Sequence, residues 1–278
     1  MLRTIKDLEN YTIRATDGDI GRITDFYFDD LNWVIRYLVV DTGTWLSGRK
    51  VLITSNSLSR PDWIKKVLPI FITKAQVKNS PNLDAVEPIS RQHELQFLKY
   101  YGNPHYWGAS GLSVEDSSSP NSKKKTNGLI SGLRRLPTEK DKPHAARAKD
   151  EESQSEGGSL RSCEEIMEYH IEAIDGDIGH VGSLLVDEET WAIRYLIVDT
   201  SEWWVGHQVL VAPSWINGVR WVNDSVSVNL TRQAVKDAPP YDSAFQLGRE
   251  GELAVHKHHG RTGYWASEVE RVEVLSPD

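Results

Sequence analysis

A single cysteine, Cys163, in 278 residues rules out an internal disulfide and leaves a thiolate metal site without a second ligand. Nothing calls for an oxidising compartment, so a reducing cytosol is the expectation. Long apolar runs are missing too: no stretch approaches the roughly eighteen residues that a membrane-spanning helix needs. Lys6, Asp7 and Glu9 break the start of the chain where a secretory signal needs an uninterrupted apolar segment. The chain is therefore expected to carry neither a membrane span nor a secretory signal. Equally absent are a Gly-rich phosphate loop, a G-x-S-x-G elbow and an H-E-x-x-H helix. The expectation is a protein that is not an enzyme, with no catalytic, cofactor-binding or metal-binding residues and no cofactor.

Basic charge is scarce in the C-terminal part. The net charge is −8, and residues 164–278 hold 8 basic against 20 acidic side chains, a balance of −12. Residues 1–107 hold 14 against 12, a balance of +2. Wrapping a nucleic-acid backbone requires clustered Lys and Arg, so the acidic half disfavours nucleic acid as a partner.

What the chain does contain, it contains twice. Tyr11 to Trp107 and Tyr169 to Trp265 align without a gap at an offset of 158, with 34 identities in 97 positions. A repeat of this length is a domain rather than a solenoid turn, and each copy is expected to close on its own interior. Within a copy the signals are mostly β. Tyr11 to Ala15 reads as a strand, Thr16-Asp17-Gly18-Asp19 as a tight turn, and Ile20 to Phe28 as the next strand. Gly21, matched by Gly179, suggests a bulge or a close backbone approach. Trp33 to Val40 is apolar on both sides, the pattern of a central strand covered on both faces. Arg36, matched by Arg194, is expected to pair with a repeated aspartate such as Asp19 or Asp41. Strands follow at Lys50 to Ile53 and Val67 to Ile72. Thr73 then caps a short helix over Lys74 to Lys78, and a second helix over Arg91 to Tyr101 closes at Gly102.

Between the copies, Gly108 to Arg161 is polar and rich in Ser, Lys and Gly, as expected of a disordered linker; Leu129 to Leu136 is its one mildly amphipathic fragment. The expected division is 1–107, 108–163 and 164–278.

Four readings concern sites. Asp17/Asp19 and Asp175/Asp177 could ligate a hard cation, but Asp-Gly is an ordinary hairpin turn. His256, His258 and His259 read as an exposed helix end rather than a metal cluster, since the first copy has Leu98, Tyr100 and Tyr101 there. Asp29 and Asp30 read as a solvated edge. Finally, Trp45 and Leu46, matched by Trp203 and Trp204, occupy a loop between strands, where large apolar side chains either fold back as a lid or stand out as anchors. These four form the candidate interaction surface, with Leu46 and Trp204 its more exposed members.

The runs DGDIGRITDFYFDDLNWVIRYLVVDTGTWLSGRKVLI and DGDIGHVGSLLVDEETWAIRYLIVDTSEWWVGHQVLV resemble the PRC-barrel domain, over about 200 residues in all. This is the small barrel of the cytoplasmic part of the photosynthetic reaction centre H subunit and of the C-terminal end of the ribosome maturation factor RimM. The resemblance implies a mainly β chain of two tandem small β-barrels, each with short C-terminal helices, joined by the linker. It also implies a non-enzymatic adaptor that binds proteins, in the cytoplasm or peripheral on the cytoplasmic face of an inner or photosynthetic membrane. The partner is unknown; pairing between the repeats and a homodimer are both open. The alternatives are a ribosome-assembly role like that of RimM and a metal- or small-ligand-binding stress sensor. The adaptor reading is tied to two separately closed interiors.

Overall fold

The computed structural model describes residues 1–81, 89, 91–104, 106, 158–200 and 207–266. The linker reading lies outside these residues except for its last few, and the Leu129–Leu136 fragment lies outside them entirely. The described residues of 1–103 and 159–266 belong to one compact unit.

In the first repeat the order is β1 (Leu2–Thr4), α1 (Ile5–Leu8), β2 (Thr12–Ala15), β3 (Gly18–Asp29), β4 (Val34–Asp41), β5 (Lys50–Thr54), β6 (Val67–Pro69), α2 (Lys74–Lys78) and α3 (Arg91–Tyr101). The second repeat gives β7 (Leu160–Ser162), α4 (Cys163–Ile166), β8 (His170–Ala173), β9 (Gly176–Asp187), β10 (Ile193–Asp199), β11 (Gln208–Val211), β12 (Ile216–Arg220), β13 (Ser225–Val228), α5 (Arg232–Lys236) and α6 (Arg249–His258). As its two-sided apolar pattern predicts, β4 runs between β3 and β5 with both faces largely buried.

Two sequence expectations fail. The first concerns closure. One sheet runs β5-β4-β3-β2-β6 and the other β11-β10-β9-β8-β13-β12, and among the described residues no ladder joins the ends of either. The described chain is a mixed α/β body of two open sheets with helices, not a mainly β pair of barrels. In the first sheet Pro69 ends β6, and Pro61 stands where the second sheet has Val219 of β12, so the segment before β6 makes only isolated bridges. Proline lacks the N–H that a continuing ladder needs.

The second concerns the interiors. β1 does not join its own sheet; it pairs antiparallel with β9, Leu2 opposite Asp187 and Thr4 opposite Leu185. Reciprocally β7 pairs with β3, Leu160 opposite Asp29 and Ser162 opposite Tyr27. The exchange obeys the 158-residue offset at every position. At the crossing point Ile193 N–H donates to the Trp33 carbonyl at 2.7 Å and Ile35 N–H to the Trp191 carbonyl at 2.8 Å. One apolar cluster then runs through both repeats, from Ile13, Phe26, Ile35 and Val51 to Ile171, Leu184, Ile193 and Val209. Each sheet leaves its ends unjoined because its apolar face is covered by the other repeat and the arm that repeat sends across. This is domain swapping within a single chain. The sequence carried a trace of it: Leu2-Arg3-Thr4 and Leu160-Arg161-Ser162 share the repeat offset, ahead of the point where the longer alignment begins.

Candidate interaction surface

The loop after β4 is shaped by its own polar groups. The Asp41 carboxylate accepts from Gly43 N–H at 2.8 Å, and the Thr42 hydroxyl donates to the Arg49 carbonyl at 2.7 Å. Between them Gly43–Leu46 forms a 3₁₀ turn, closed by Ser47 in the left-handed region. Trp45 and Leu46 are both half-buried and pack against the shared core, with the Lys74 ammonium 4.6 Å from the Trp45 ring centroid. The structure thus folds the two side chains back together. Their counterparts Trp203 and Trp204 lie outside the described residues.

Other apolar side chains stand out farther. Ile64 is 96% exposed and its repeat counterpart Val222 71%. Each follows a tryptophan that anchors the tip. Trp63 has the Arg3 guanidinium 4.3 Å from its centroid and Tyr11 edge-on at 5.8 Å; Trp221 has Arg161 at 4.2 Å and Tyr169 at 5.9 Å. Arg3 and Arg161 belong to the exchanged arms, so both tips rest on the crossing of the repeats. The flanks differ: Lys65 and Lys66 in one, Asn223 and Asp224 in the other. A second matching corner lies beside the Asp-Gly turns. Thr16 N–H donates to the Ile72 carbonyl and Ile174 N–H to that of Leu230. Phe71 is exposed at this corner of the first sheet and Ile174 at that of the second. Sequence reasoning missed all four residues. Only the shared position of Ile64 and Val222, one residue past a repeated tryptophan, could have pointed to them.

The charged residues singled out from sequence serve the fold. The Asp17 carboxylate accepts from Lys74 N–H and that of Asp175 from Arg232 N–H, both at 2.7 Å, tying each turn to the following helix. Asp19 pairs with Arg14 at 2.6 Å, which holds its carboxyl below the usual range. Arg36 finds Asp29 at 3.2 Å, and Arg194 finds Asp187 at 3.3 Å, rather than Asp19 or Asp41. Asp29 is buried, not a solvated edge, because Asn32, Arg36 and Leu31 N–H all donate to it. Among the described residues no group of three or more His, Cys, Asp or Glu side chains could hold a metal. Cys163 is fully buried, which pushes its thiol well above the usual value.

The helix-end histidines differ from expectation as well. His256 is buried and His259 half-buried; only His258 is exposed. His256 joins a network around the buried Glu252 carboxylate, which also takes the Tyr195 hydroxyl at 3.3 Å, the Tyr264 hydroxyl at 2.8 Å and Arg249 at 2.9 Å. Burial, then the nearby carboxylate, pushes the Tyr264 hydroxyl up to about 12. The network pins α6 and the turn after it to the second sheet, and every carboxylate oxygen in it is already committed.

Compared with known families, residues 2–77 match the PRC-barrel domain. No curated protein matches the chain. PRC-barrel domains are non-catalytic interaction modules. The matched segment starts on the exchanged strand β1 and ends inside α2, so the family unit includes the arm that docks on the other repeat. Residues 2–77 are a PRC-barrel-like domain; the second sheet is similar in plan but lies outside that match.

Proposed function

We propose that the chain is a non-enzymatic scaffold that binds other proteins through the outside of a single fused body, acting in the cytoplasm or on the cytoplasmic face of a membrane. The shared interior removes the basis for two independent adaptor modules, so this reading rests on different ground. The observation that carries it is the repetition, at matching positions, of a large apolar side chain left in water, Ile64 with Val222; Phe71 and Ile174, though not repeat counterparts, are exposed at corresponding corners of the two sheets. Isolated exposed apolar residues are common, but a pair kept at equivalent tips, each on an aromatic base, suits a docking surface. The match of residues 2–77 to an interaction domain supports the same reading. A ribosome-assembly role is disfavoured by the acidic second repeat, and a metal sensor by the structural engagement of Asp17, Asp19, Asp175 and Glu252.

The test is capture from an extract of the native cell on the immobilised intact chain, with free chain as competitor. Proteins displaced by the free chain are expected to be lost when Ile64→Asp is combined with Val222→Asp, or Phe71→Asp with Ile174→Asp, at unchanged thermal midpoint. Retention that ignores both pairs, or turnover in a substrate screen, would overturn the proposal.

A further inference from the structure

The two repeats fasten their second helices differently. α3 lies on the first sheet largely through apolar contacts: Phe97 meets Tyr37 at 6.2 Å between ring centroids, Leu98 is buried, and the Tyr101 hydroxyl donates to the Leu52 carbonyl at 3.2 Å, while Glu94, the counterpart of Glu252, is fully buried on this helix as well. On α6 the positions of Leu98 and Tyr101 are His256 and His259. His256 is 3% exposed, with Nε2 2.9 Å from the Tyr195 hydroxyl. That hydroxyl also reaches Glu252 Oε1 at 3.3 Å, and the tautomer of the ring sets which of the His256–Tyr195 pair donates. The His256 ring lies edge-on to Trp215 at 5.1 Å and Trp265 at 5.0 Å, and His259 meets Trp215 at 4.8 Å.

The charges facing this cluster are mostly positive. α6 supplies Arg249 and His258 and the turn after it Arg261, while β10 holds Arg194 against the Tyr264 ring. α5 offers the Ala234 carbonyl, taken by His258, and the 3₁₀ turn Pro213–Trp215 offers the Trp215 indole. Among the described residues Glu252 is the one carboxylate within the network, already holding Arg249, Tyr195 and Tyr264. A proton added to either inner histidine therefore puts a cation among aromatic rings, beside like charge, with the Thr262 backbone to meet it at His256 but, among the described residues, no free carboxylate in the network.

We propose that α6 and the turn after it form an acid-released latch on the second sheet. Proton uptake by His256 or His259 lifts the helix from Tyr195 and Trp215, while α3 stays on the first sheet. The face uncovered holds Tyr195 and, by the repeat register, Ile197 and Leu210, counterparts of Tyr37, Val39 and Leu52 beneath α3. Burial, then the neighbouring cations His258 and Arg261, holds His259 down to about 4 against an ordinary 6.5, and burial lowers His256 as well. A lowered value in the docked form means that docking is fully supported above 6.5 and weakens as pH falls from there toward the docked value. With solvent screening of the half-exposed His259 allowed for, the docking equilibrium weakens about tenfold by roughly pH 5.

Amide hydrogen exchange on the intact chain tests this at about pH 7.5 and 5.0, corrected for intrinsic rates, with α3 as internal reference. The expected result is a loss of protection across Arg249–His258 about fivefold or more greater than across Arg91–Tyr101. His256→Leu combined with His259→Tyr, the residues of the first repeat, is expected to remove the difference. Loss in step in both helices, protection of α6 kept at the lower pH, or a double variant that still releases α6 would each overturn the latch. If the double variant fails to fold, the wild-type comparison of the two helices decides.

Discussion

The first and second repeats are the same scaffold with different duties written on it. The residues that shape the crossing are duplicated: Arg3 and Arg161 over their tryptophans, Asp29 and Asp187 on their arginines, Gly21 and Gly179 against the next strand. Other positions have diverged. Lys65 and Lys66 become Asn223 and Asp224, Leu98 becomes His256, and Asp25 becomes Ser183. Where both copies keep a residue, the shared architecture requires it; where they part, one copy has been free to specialise.

The largest expected effects fall on the duplicated set, where damage to either copy should act alike. A Cβ at Gly21 would overlap the Asp41 carbonyl oxygen, and one at Gly179 the Asp199 carbonyl, with Gly179 also at a φ of +128°. Gly21→Val or Gly179→Val should each cost about 3 kcal/mol or more, since backbone on both sides prevents relief. Because the interior is shared, denaturant unfolding should remain one transition reporting both repeats. A variant that splits it into two, with the untouched repeat keeping its midpoint, would break the comparison at its root.

Next come the exchanged arms. Leu2→Ala and Leu160→Ala each empty a buried site on the opposite sheet and should cost about 2–3 kcal/mol. If β1 merely decorated the surface, Leu2→Ala would lie within about 0.5 kcal/mol of wild type by equilibrium denaturation.

What the sequence disclosed follows from the range of the forces involved. Turns, the glycine approach, the Thr73 cap and the two-sided character of β4 depend on neighbours a few residues away or on simple alternation, and these were legible. A strand such as Leu2–Thr4 announces itself by composition but not the sheet it will join, because its partner β9 lies more than 150 residues later. Closure was misjudged for the same reason: whether a sheet must meet its own edge depends on what else covers its apolar face. Asp29 looked solvated beside Asp30 because Arg36 and Asn32 reach it only once the hairpin has formed. His256 looked like part of an exposed helix end because Trp215 and Trp265, which enclose it, are distant or beyond the helix. The surface was hardest to read. Trp45 and Leu46 stood out by size, and size is also what drew them back onto the core, whereas Ile64 and Val222 are modest residues made prominent by the turns that carry them.

The finest test of the comparison uses one position with two outcomes. Asp25 accepts from the Ser162 hydroxyl at 2.6 Å and from Glu164 N–H at 3.0 Å, so it caps the other repeat's arm. Its counterpart Ser183 is buried with a hydroxyl that finds no hydrogen-bond partner among the described residues. Asp25→Ala strands two donors and should cost about 1–3 kcal/mol, whereas Ser183→Ala removes an unmet polar group and should lie within about 0.5 kcal/mol of wild type, on the stabilising side if anywhere. Asp25→Asn adds a sign. Burial raises the Asp25 carboxyl above its ordinary 3.8, with the hydrogen bonds from Ser162 and the Glu164 and Phe26 amides offsetting part of this. A raised value in the folded state means that this carboxylate withholds stability at neutral pH and returns it as pH falls through the folded value toward 3.8. Wild type should therefore gain on Asp25→Asn as the buffer is taken from about pH 7 to 4.5, measured by denaturation of both proteins side by side. A gap that stays constant would mean that the carboxylate is solvated, and one that moves toward the asparagine variant on acidification would mean that the hydrogen bonds from the arm outweigh the burial.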